Sequence, residues 1–395
     1  MVAIFNFASS YKRKHLLIAK KRIILVANTT WNIYNFRLNV LKKLLDEGHE
    51  VYVLAPVDEY IEYKEKYPDV VHIGLRSLDR DSTNPIKDLI LIAELYRKYK
   101  RIKPSLVVHY THKPNIFGSI AAYLAKIKSI NVVTGLGYSF IHKGWINTVL
   151  KILYKFGGSK SSMTIFENQD DLALFIEENL VDEAKATSVK GCGVDTSYYL
   201  AYPNGTDHSH TTFTFIGRLL KDKGVREFAQ AAEILKSKYE DLKFVMLGDF
   251  DEENPSTIDR DELVEWVNND VIDYKGFVRD VRPYLAKSDC VVLPSYREGL
   301  PRIILEAMSM SKPVITTKTA GCRETVEEGL NGFLVAPRSV QELLEGMEKF
   351  LKLEQSEKRA LGARGRIMVE EQFDATIIAN QMYEVFYPFI MAEES

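Results

Sequence analysis

A strand-like apolar run followed by a helical stretch recurs along this 395-residue chain, and this alternation limits its fold more than any other feature. The first unit has an apolar run at 23–27, a helical pattern at 32–47 and a second strand at 50–55. Further strands, separated by helical stretches, are predicted at 69–74, 105–109, 130–134 and 161–166. Strands that alternate with helices in this way form a parallel sheet with helices on both faces. The first half is therefore predicted to be a doubly wound α/β domain.

The same alternation begins again after a break. Residues 202–207 are rich in turn-forming and polar side chains, which predicts a linker. Six more strands are predicted near 212–217, 242–248, 271–275, 289–293, 313–316 and 332–335. The repeated alternation predicts two similar domains that face each other across a cleft, and the chain is long enough to form both. The predicted divisions are a basic N-terminal extension at 1–21, domains at 22–205 and 206–370, and a C-terminal helix at 371–395 that crosses back to the first domain.

Composition and charge exclude several classes of protein. A net charge of -2 gives no overall attraction to nucleic acid. No stretch reaches the roughly 20 apolar residues of a membrane-spanning helix, and near the N-terminus the apolar run precedes the basic cluster, which argues against a signal peptide. The three cysteines lie far apart and fit a reducing cytosol. We expect a cytoplasmic protein, soluble or peripheral on a membrane.

A cationic turn follows the first strand of the second domain. The strand at 212–217 leads into Gly217 and Arg218, and Lys223 follows in a helix predicted to begin near Asp222. Ligands of open α/β sheets bind beyond the carboxyl ends of the strands. Because arginine offers a planar fork and lysine a point charge, both are able to converge on one diphosphate. A solvated basic turn is the alternative from these residues alone.

A second segment of this domain combines a buried strand, an acidic loop and a helix start. Glu298 and Gly299 lie in the loop, and Pro301 is predicted to be the first helical residue. Free N–H groups and the positive end of the helix dipole form an anion site at such a helix start. Glu306 lies too far into the helix to cap it, and is able to accept two hydrogen bonds from a cis-diol such as a ribose.

The two segments together resemble the retaining family 4 glycosyltransferases. The pattern G-R-x4-K-G begins at Gly217, and the pattern E-x7-E runs from Glu298 to Glu306. A glycine-rich turn at 320–324 and the sequence G-x-N-G-x-L-V at 329–335 add to the resemblance, which covers the chain from about residue 22. It implies the GT-B fold, an α/β architecture of two Rossmann-like domains. It also implies transfer of a sugar from a nucleotide diphosphate donor to a glycan, without a cofactor.

The resemblance implies roles for individual residues. Glu306 holds the ribose, and Glu298 meets hydroxyls of the donor sugar. Since Pro301 has no N–H, Gly299 and Leu300 supply the backbone donors. The residues implied to bind the donor are Gly217, Arg218, Lys223, Gly299, Leu300, Glu306 and Asn28, and those implied to be catalytic are Arg218, Lys223, Glu298 and His112.

Two segments of the first domain complete this site. A histidine pair, His109 and His112, has the wrong context for a closed metal site, and the segment resembles the family's H-x-P loop, which puts His112 beside the donor sugar. Lys113 stands where family members often carry glutamate. The loop from Asn28 to Asn32 lacks the glycine pair that many members have, and is assigned to the edge shared by acceptor and diphosphate.

A metal requirement is not expected. Asp249-Phe250-Asp251 imitates the D-x-D pattern that holds a divalent metal in another transferase fold, but it lies in an acidic loop where a solvated turn is the favoured interpretation. Arg218, Lys223 and the helix start are able to replace a metal in stabilising the leaving diphosphate.

The acceptor is predicted from a further stretch and from the closest resemblance within the family. Basic and aromatic residues mix at 138–160, among them Tyr138, Lys143, Trp145 and Lys151, and such a mixture suits an anionic membrane interface on the inner face of the plasma membrane. An ordinary amphipathic core helix is the alternative. The chain most resembles bacterial N-acetylgalactosaminyltransferases that extend an undecaprenyl-diphosphate-linked sugar, which implies a UDP-N-acetylhexosamine donor and a lipid-linked glycan acceptor.

Two other functions share the architecture. A non-hydrolysing UDP-N-acetylglucosamine 2-epimerase would epimerise the sugar without an acceptor, and the E-x7-E segment favours transfer instead. A catalytically silent binding subunit is disfavoured because Arg218, Lys223, Glu298 and Glu306 are all present.

Overall fold

Two parallel β-sheets organise the protein, as the predicted fold class requires. The structure, a computed structural model, describes residues 20–80, 82, 84–137, 140, 144–201 and 210–392. Among these residues one sheet has seven strands and the other six, and every pairing between neighbouring strands is parallel. The doubly wound α/β architecture predicted from the alternating pattern is confirmed.

The first sheet comes from the N-terminal half. Its strands are β1 (Arg22–Val26), β2 (Glu50–Ala55), β3 (Val71–Gly74), β4 (Leu106–Tyr110), β5 (Ser129–Val133), β6 (Met163–Phe166) and β7 (Ala186–Ser188). They lie in the order β3-β2-β1-β4-β5-β6-β7. The α-helices around it are α1 (Thr30–Phe36), α2 (Leu38–Asp46), α3 (Tyr63–Lys66), α4 (Pro85–Ile102), α5 (Ser119–Ala125), α6 (Trp145–Lys160) and α7 (Gln169–Glu177).

The second sheet repeats this plan. Its strands are β8 (Thr211–Ile216), β9 (Leu242–Leu247), β10 (Asp273–Tyr274), β11 (Cys290–Leu293), β12 (Val314–Thr317) and β13 (Gly332–Val335). Their order is β10-β9-β8-β11-β12-β13. The α-helices are α8 (Val225–Lys238), α9 (Arg260–Asn268), α10 (Arg282–Lys287), α11 (Arg302–Ser309), α12 (Val340–Leu351), α13 (Gln355–Gln372) and α14 (Ala375–Met391).

Strand order reverses direction once in each sheet. In the first sheet β1 lies between β2 and β4, and in the second β8 lies between β9 and β11. Consecutive crossover connections leave in opposite directions from these points, which opens a crevice beyond the carboxyl ends of the strands. The candidate residues that follow β1, β4, β8 and β11 therefore all lie at crevice edges.

The helix predicted at 32–47 is two helices, α1 and α2, that meet at Arg37. Arg37 has a non-helical φ of -123°, and its side chain is buried, with Nη1 3.1 Å from a carboxylate oxygen of Glu167. Its guanidinium also lies 4.3 Å from the ring centroid of Tyr110. A buried guanidinium needs an anionic partner, and the ion pair with Glu167 supplies it. The backbone at Arg37 therefore departs from the helical conformation that the local pattern predicts.

The last helix packs on the first sheet. Ile378, Met382 and Phe386 of α14 are buried in the same core cluster as Ile23 and Leu25 of β1. Burial of such side chains stabilises the fold by about 1.5–3 kcal/mol each, which holds the end of the chain against the N-terminal half. The domain divisions at 205/206 and 370/371 stay predictions. The predicted linker at 202–207 and most of the extension at 1–21 lie outside the described residues.

Candidate active site

Lys223 and Glu298 meet at the reversal point of the second sheet. Lys223 belongs to a 3-10 turn, Lys221–Lys223, after β8, and Glu298 lies in the loop after β11. The Lys223 Nζ is 2.5 Å from Glu298 Oε1, and both side chains are largely buried. The helix predicted near Asp222 begins as this turn, and α8 follows from Val225. The two sequence patterns therefore form one charged site.

Gly224 permits the close approach of these two segments. Its φ is +74°, and a Cβ on it would lie 2.7 Å from the Pro294 ring. Both the left-handed backbone and the lack of space require glycine here. The turn that carries Lys223 is thereby held directly against the loop that carries Glu298.

Arg218 lies in the loop that follows β8 and is bound to Asp251. Its Nη1 forms an ion pair with Asp251 Oδ2, and its side chain is 48% exposed. Asp251 also accepts a hydrogen bond, at 3.1 Å, from Nη2 of Arg80, which lies in the first domain. The interpretation of 249–251 as a solvated turn is thus incomplete, because Asp251 is largely buried and joins an arginine from each domain.

The helix start after Glu298 differs by one residue from the prediction. Pro301 has extended φ and ψ values of -74° and 105° and precedes α11, which begins at Arg302. The pyrrolidine ring fixes φ but does not require helical ψ, so proline serves here as the residue before the helix. Among the described residues, no backbone carbonyl accepts from the Gly299 or Leu300 amides. The Gly299 amide packs closely against Gly135 of the first domain, and binding of an anion by the two amides stays a prediction.

Glu306 lies inside α11 and is almost fully buried, at 8% exposure. It accepts a hydrogen bond of 2.9 Å from the Tyr199 hydroxyl, and one carboxylate oxygen is 2.8 Å from Arg302 Nε. Burial raises the pKa of Glu306, and the charge of Arg302 opposes that rise. Ribose hydroxyls that bind Glu306 would therefore share its carboxylate with Tyr199 and Arg302.

His112 follows β4 at the reversal point of the first sheet. The Tyr154 hydroxyl forms a hydrogen bond with His112 Nδ1. Burial, with a smaller contribution from the positive charge of Arg80, lowers the pKa of His112 to about 4, so the ring is neutral at pH 7. Lys113, the departure from the family pattern, forms an ion pair of 3.0 Å with Asp88 of α4.

Asn28 lies two residues beyond β1, at the same crevice edge, and is partly buried. The adjacent Thr29 caps α1, since its side chain accepts from the Asn32 amide at 3.1 Å. The loop without glycines is therefore an ordinary capped helix start. Its placement at the crevice fits the prediction for Asn28, whose contact with a ligand stays a prediction.

The two domains touch where the predicted site residues lie. Gly299 is so close to the first domain that a Cβ on it would lie 2.5 Å from the Thr134 carbonyl oxygen, and its own carbonyl accepts from the Asn168 side chain at 2.7 Å. The same loop of the first domain reaches His112, because a Cβ on Gly137 would lie 3.5 Å from its Nε2. The loop at 134–137 thus lies between His112 and the Glu298 loop.

Asp171, in the first turn of α7, supports this contact. It is fully buried and forms an ion pair with Arg297, the residue before Glu298. Burial raises the pKa of the Asp171 carboxyl, and the Arg297 charge counteracts the rise. Loss of either partner would leave a buried charge without compensation, so this pair fixes the Glu298 loop relative to the first domain.

The residues predicted to face a membrane have mixed outcomes. Tyr138 and Lys143 lie outside the described residues. Trp145 begins α6 and is 76% exposed, whereas Lys151 is paired with Glu178 at 2.6 Å. The outward face of α6 is apolar rather than basic, because Val149, Ile152 and Phe156 are also exposed.

This apolar face continues on neighbouring helices. Helix α4 packs on α5, and α5 packs on α6. The large apolar side chains exposed on the three helices are Ile86, Leu89, Ile90, Tyr96, Tyr123, Leu124, Trp145, Val149, Ile152 and Phe156. Within the described ranges no helix is long and apolar enough to cross a bilayer. Nor do the described residues contain a group of three or more histidine, cysteine or acidic side chains arranged to hold a metal ion.

Comparison with known proteins identifies the class of this chain. Residues 22–168 match the family described as glycosyl transferase 4-like, and residues 210–352 match the glycosyl transferases group 1. Solved structures that are similar to this chain include HepE from Anabaena in complex with UDP and glucose. The two chains are 19% identical in sequence and superpose with a TM-score of 0.79, over 93% of this chain and 99% of HepE. The protein is a glycosyltransferase of the GT-B fold.

Curated relatives narrow this class. The N,N'-diacetylbacillosaminyl-diphospho-undecaprenol alpha-1,3-N-acetylgalactosaminyltransferase of Campylobacter jejuni is 29% identical, over 92% of this chain and 98% of that protein. The UDP-Gal:alpha-D-GlcNAc-diphosphoundecaprenol alpha-1,3-galactosyltransferase of Escherichia coli is 27% identical, over 66% of this chain and 70% of that protein. The chain belongs to the family 4 type of glycosyltransferase, as the sequence patterns predicted.

Sequence patterns did not reveal several residues of this site. Arg80, Tyr154 and Asp171 each contact a predicted site residue or its neighbour from a distant segment. For Asp171 a weak signal existed, since Asn168 and Asp171 have the spacing of a helix cap that follows a buried strand. Arg80 lies in a segment without a recognisable pattern, and the pattern that contains Tyr154, at 138–160, indicated a membrane interface or a core helix and no contact with His112.

Proposed function

We propose that this glycosyltransferase moves an N-acetylhexosamine from a UDP-sugar donor to a lipid-linked glycan, with retention of anomeric configuration and without a metal. The observation that carries the proposal is the ion pair of Lys223 with Glu298 at the strand reversal of the second sheet, with Arg218 in the loop that follows β8. The names of the Campylobacter and Escherichia relatives both include a sugar linked to diphospho-undecaprenol, which supports an acceptor of this kind. The name of the Escherichia enzyme also includes a UDP-sugar donor. The reaction would extend a bacterial surface polysaccharide or glycoprotein glycan.

Arg218 and Lys223 would stabilise the departing diphosphate. Cleavage of the bond between the anomeric carbon and the β-phosphate leaves negative charge on a phosphate oxygen. Each fixed donor or cation in a water-poor site contributes about 3–4 kcal/mol to such a transition state, against about 1 kcal/mol for an ion pair in bulk water. The Gly299 and Leu300 amides would add neutral donors, so the site needs no divalent ion.

The sugar and the nucleoside would be held by side chains from both domains. Neutral His112 would donate a hydrogen bond to a hydroxyl of the donor sugar, and Glu298 would accept one. Glu306 would accept from the ribose through Oε2, since Tyr199 and Arg302 both bind Oε1. Asn28 would contact the diphosphate from the first domain. These roles follow from the resemblance and from the positions of the four residues at facing crevice edges.

Protons balance without a protein base. The acceptor hydroxyl attacks the anomeric carbon on the face that the diphosphate leaves, and its proton passes to the departing phosphate oxygen. The electron pair of the broken bond stays on that phosphate. Same-face attack gives retention of anomeric configuration, and it requires that Arg218 and Lys223 keep the leaving group in place while the new bond forms.

The acceptor would be reached at the inner face of the plasma membrane. The exposed apolar residues of α4, α5 and α6 form a face that suits the region between headgroups and acyl chains. Lys155 and Lys126 are exposed beside it, and the Lys160 ammonium lies 4.7 Å from the Tyr123 ring centroid. Each lysine near an anionic surface contributes about 1 kcal/mol to binding. We propose a peripheral protein whose first domain docks on anionic lipid.

Product analysis tests this function directly. Purified protein is incubated with radiolabelled UDP-N-acetylgalactosamine, UDP-N-acetylglucosamine or UDP-galactose, each with and without an undecaprenyl-diphosphate-linked amino sugar. Transfer of label to the lipid with one UDP-N-acetylhexosamine is the expected result. Conversion of the donor to its 2-epimeric UDP-sugar without lipid would instead support the epimerase, and binding of UDP without any product would support a silent subunit.

A further inference from the structure

Tyr154 lies on the inner face of α6 and touches the candidate catalytic histidine. Its side chain is 5% exposed, and its hydroxyl forms a hydrogen bond with His112 Nδ1. The opposite face of the same helix carries the exposed Ile152 and Phe156. Tyr154 is therefore the contact through which α6 reaches the crevice.

The direction of this hydrogen bond follows from the protonation of the two rings. Burial raises the pKa of the Tyr154 phenol, which keeps its proton. His112 is neutral, so its ring carries one N–H, on Nδ1 or on Nε2. The Asn115 side chain also lies within hydrogen-bond reach of the Tyr154 hydroxyl and lowers its pKa, as a donor to the phenol oxygen does, which leaves His112 Nδ1 to accept the phenol proton. The phenol therefore donates to Nδ1, and the imidazole proton resides on Nε2.

The Nε2 side of the ring faces the contact between the domains. The nearest neighbour of a Cβ built on Gly137 would be His112 Nε2, at 3.5 Å. The loop at 134–137 that passes there also packs against Gly299. A proton on Nε2 is thus directed to the part of the crevice where the donor sugar is proposed to lie.

Packing holds Tyr154 in one position. Its ring makes edge contacts with Phe140 and Phe175, with centroids 5.9 Å and 5.3 Å away. One turn farther on, a Cβ on Gly157 would lie 2.9 Å from Ile116 Cα, so the α6 backbone rests directly on the segment that follows His112. These contacts restrict the Tyr154 ring to the side of α6 on which His112 lies.

We propose that Tyr154 is a positioning residue that fixes His112 as the Nε2–H tautomer, a neutral hydrogen-bond donor to a donor-sugar hydroxyl. The ligand role of His112 rests on the proposed function, whereas the tautomer follows from the contact with Tyr154. Fixing the tautomer and orientation of a histidine through its other nitrogen is a common way to make it effective in catalysis.

The charged groups around His112 set the pH dependence. Arg80 approaches from the loop after β3, while Lys113 is paired with Asp88 of α4 and Asp171 with Arg297. Arg80 and the hydrogen bond from Tyr154 both favour the neutral ring, the latter because Nδ1 is able to accept only when unprotonated. Removal of the hydroxyl therefore raises the pKa of His112 from about 4, and the acid limb of kcat moves to higher pH.

The test is Tyr154→Phe with Tyr99→Phe as a matched control. The Tyr99 hydroxyl is 3.0 Å from Nε2 of His109, a buried pair of the same chemistry in the core of the first domain. In protein with ¹⁵N-labelled histidine, wild-type His112 should show protonated Nε2 and unprotonated Nδ1. Tyr154→Phe should show a mixed tautomer, a higher pKa of His112 and a kcat lower by about tenfold, the loss of one hydrogen bond. Tyr99→Phe should leave the His112 spectrum and the acid limb unchanged.

A second substitution guards against a folding defect in Tyr154→Phe. Incorporation of 3-fluorotyrosine at position 154 makes the phenol a stronger donor, which should lower the pKa of His112 further. An unchanged His112 tautomer in Tyr154→Phe, or the same change in Tyr99→Phe, would overturn the proposal. Undiminished transfer by His112→Ala would contradict the proposed role of His112 in the reaction. The ¹⁵N spectra of wild type and Tyr154→Phe would still show whether Tyr154 fixes the tautomer of His112.

Discussion

Lys223 and Glu298, 75 residues apart in the chain, form a 2.5 Å ion pair between the turn after β8 and the loop after β11. Neither charge is buried alone, so this pair is neutral before a donor enters. A diphosphate that binds Lys223 has to compete with Glu298 or move it. Glu298 would then be free to turn to the donor sugar, and the two residues should act as a unit.

Replacement of Lys223 tests this unit. We expect Lys223→Met to lower kcat by about 10²–10³, because the cation acts mainly on the charge that develops in the transition state. Glu298→Gln should also lower kcat, and the double variant should lose less than the product of the two single losses, since each residue depends on the other. Steady-state kinetics on the lipid acceptor measures all three.

Lys221→Met is the control for this set, since Lys221 lies in the same turn and has no proposed contact with the donor. It should turn over at a near wild-type rate. Wild-type kcat in Lys223→Met, or multiplicative losses in the double variant, would contradict the account.

Replacement of Asp251 distinguishes a carboxylate that holds Arg218 from a metal ligand. If Asp251 competes with the diphosphate for Arg218, Asp251→Asn should tighten UDP binding in EDTA. The gain should be at most about fivefold, because partly exposed ion pairs contribute about 0.2–1 kcal/mol. Titration calorimetry measures the affinity. Weaker binding that Mn²⁺ restores would mean that the loop at 249–251 holds a metal.

Replacement of Glu306 tests its contact with the ribose. Such a contact is similar in the ground and transition states, so Glu306→Gln should weaken UDP binding and raise KM with little change in kcat. Wild-type protein should bind UDP more tightly than 2′,3′-dideoxy-UDP, and Glu306→Gln should bind both alike. Tyr199→Phe should keep the preference, because it removes a partner of Glu306 and leaves the carboxylate. If Glu306→Gln and wild type preferred UDP over 2′,3′-dideoxy-UDP to the same extent, the contact between Glu306 and the ribose would be ruled out.

Replacement of the apolar face of α6 tests membrane docking. The triple change Trp145→Ser, Ile152→Ser and Phe156→Ser should release the protein from anionic vesicles and slow transfer to the lipid acceptor, while transfer to a short soluble acceptor stays normal. Binding by wild type should fall as salt rises, because charges near the surface are screened. Val264→Ser with Val267→Ser, exposed apolar residues of α9 in the second domain, is the control. If the triple variant sedimented with anionic vesicles as wild type does, membrane docking through α6 would be contradicted, and α6 would be a core helix with an exposed edge.

Most strands of the fold were predictable because they are short, apolar and bounded by polar turns, whereas β7, which consists of Ala-Thr-Ser, has no apolar run and was not predicted. The site residues Arg218, Lys223 and Glu298 were predictable for a related reason, since each lies within a few residues of the carboxyl end of such a strand. Pro301 was misplaced by one residue because a fixed φ suits both the last residue before a helix and the first within it. Arg37 was missed as a break because its partner Glu167 lies 130 residues away.

Contacts between distant segments account for the rest. Nothing in the local pattern of Asp251 indicates that it holds Arg218 and Arg80, and a solvated turn has the same composition. Tyr154 occupies a buried position of an amphipathic helix, where an aromatic side chain usually has only a packing role. Its neighbour His112 becomes apparent only when α6 is placed on the segment after β4.

The anomeric configuration of the product formed in EDTA tests the central claim most directly. Wild-type protein is incubated with a UDP-α-N-acetylhexosamine and the lipid-linked acceptor in excess EDTA, and the coupling constant of the new anomeric proton is measured by NMR. The account predicts an α-linked product at undiminished yield, absent in Arg218→Ala. A β-linked product would contradict retention, and loss of product in EDTA that Mg²⁺ or Mn²⁺ restores would contradict the metal-free cationic site.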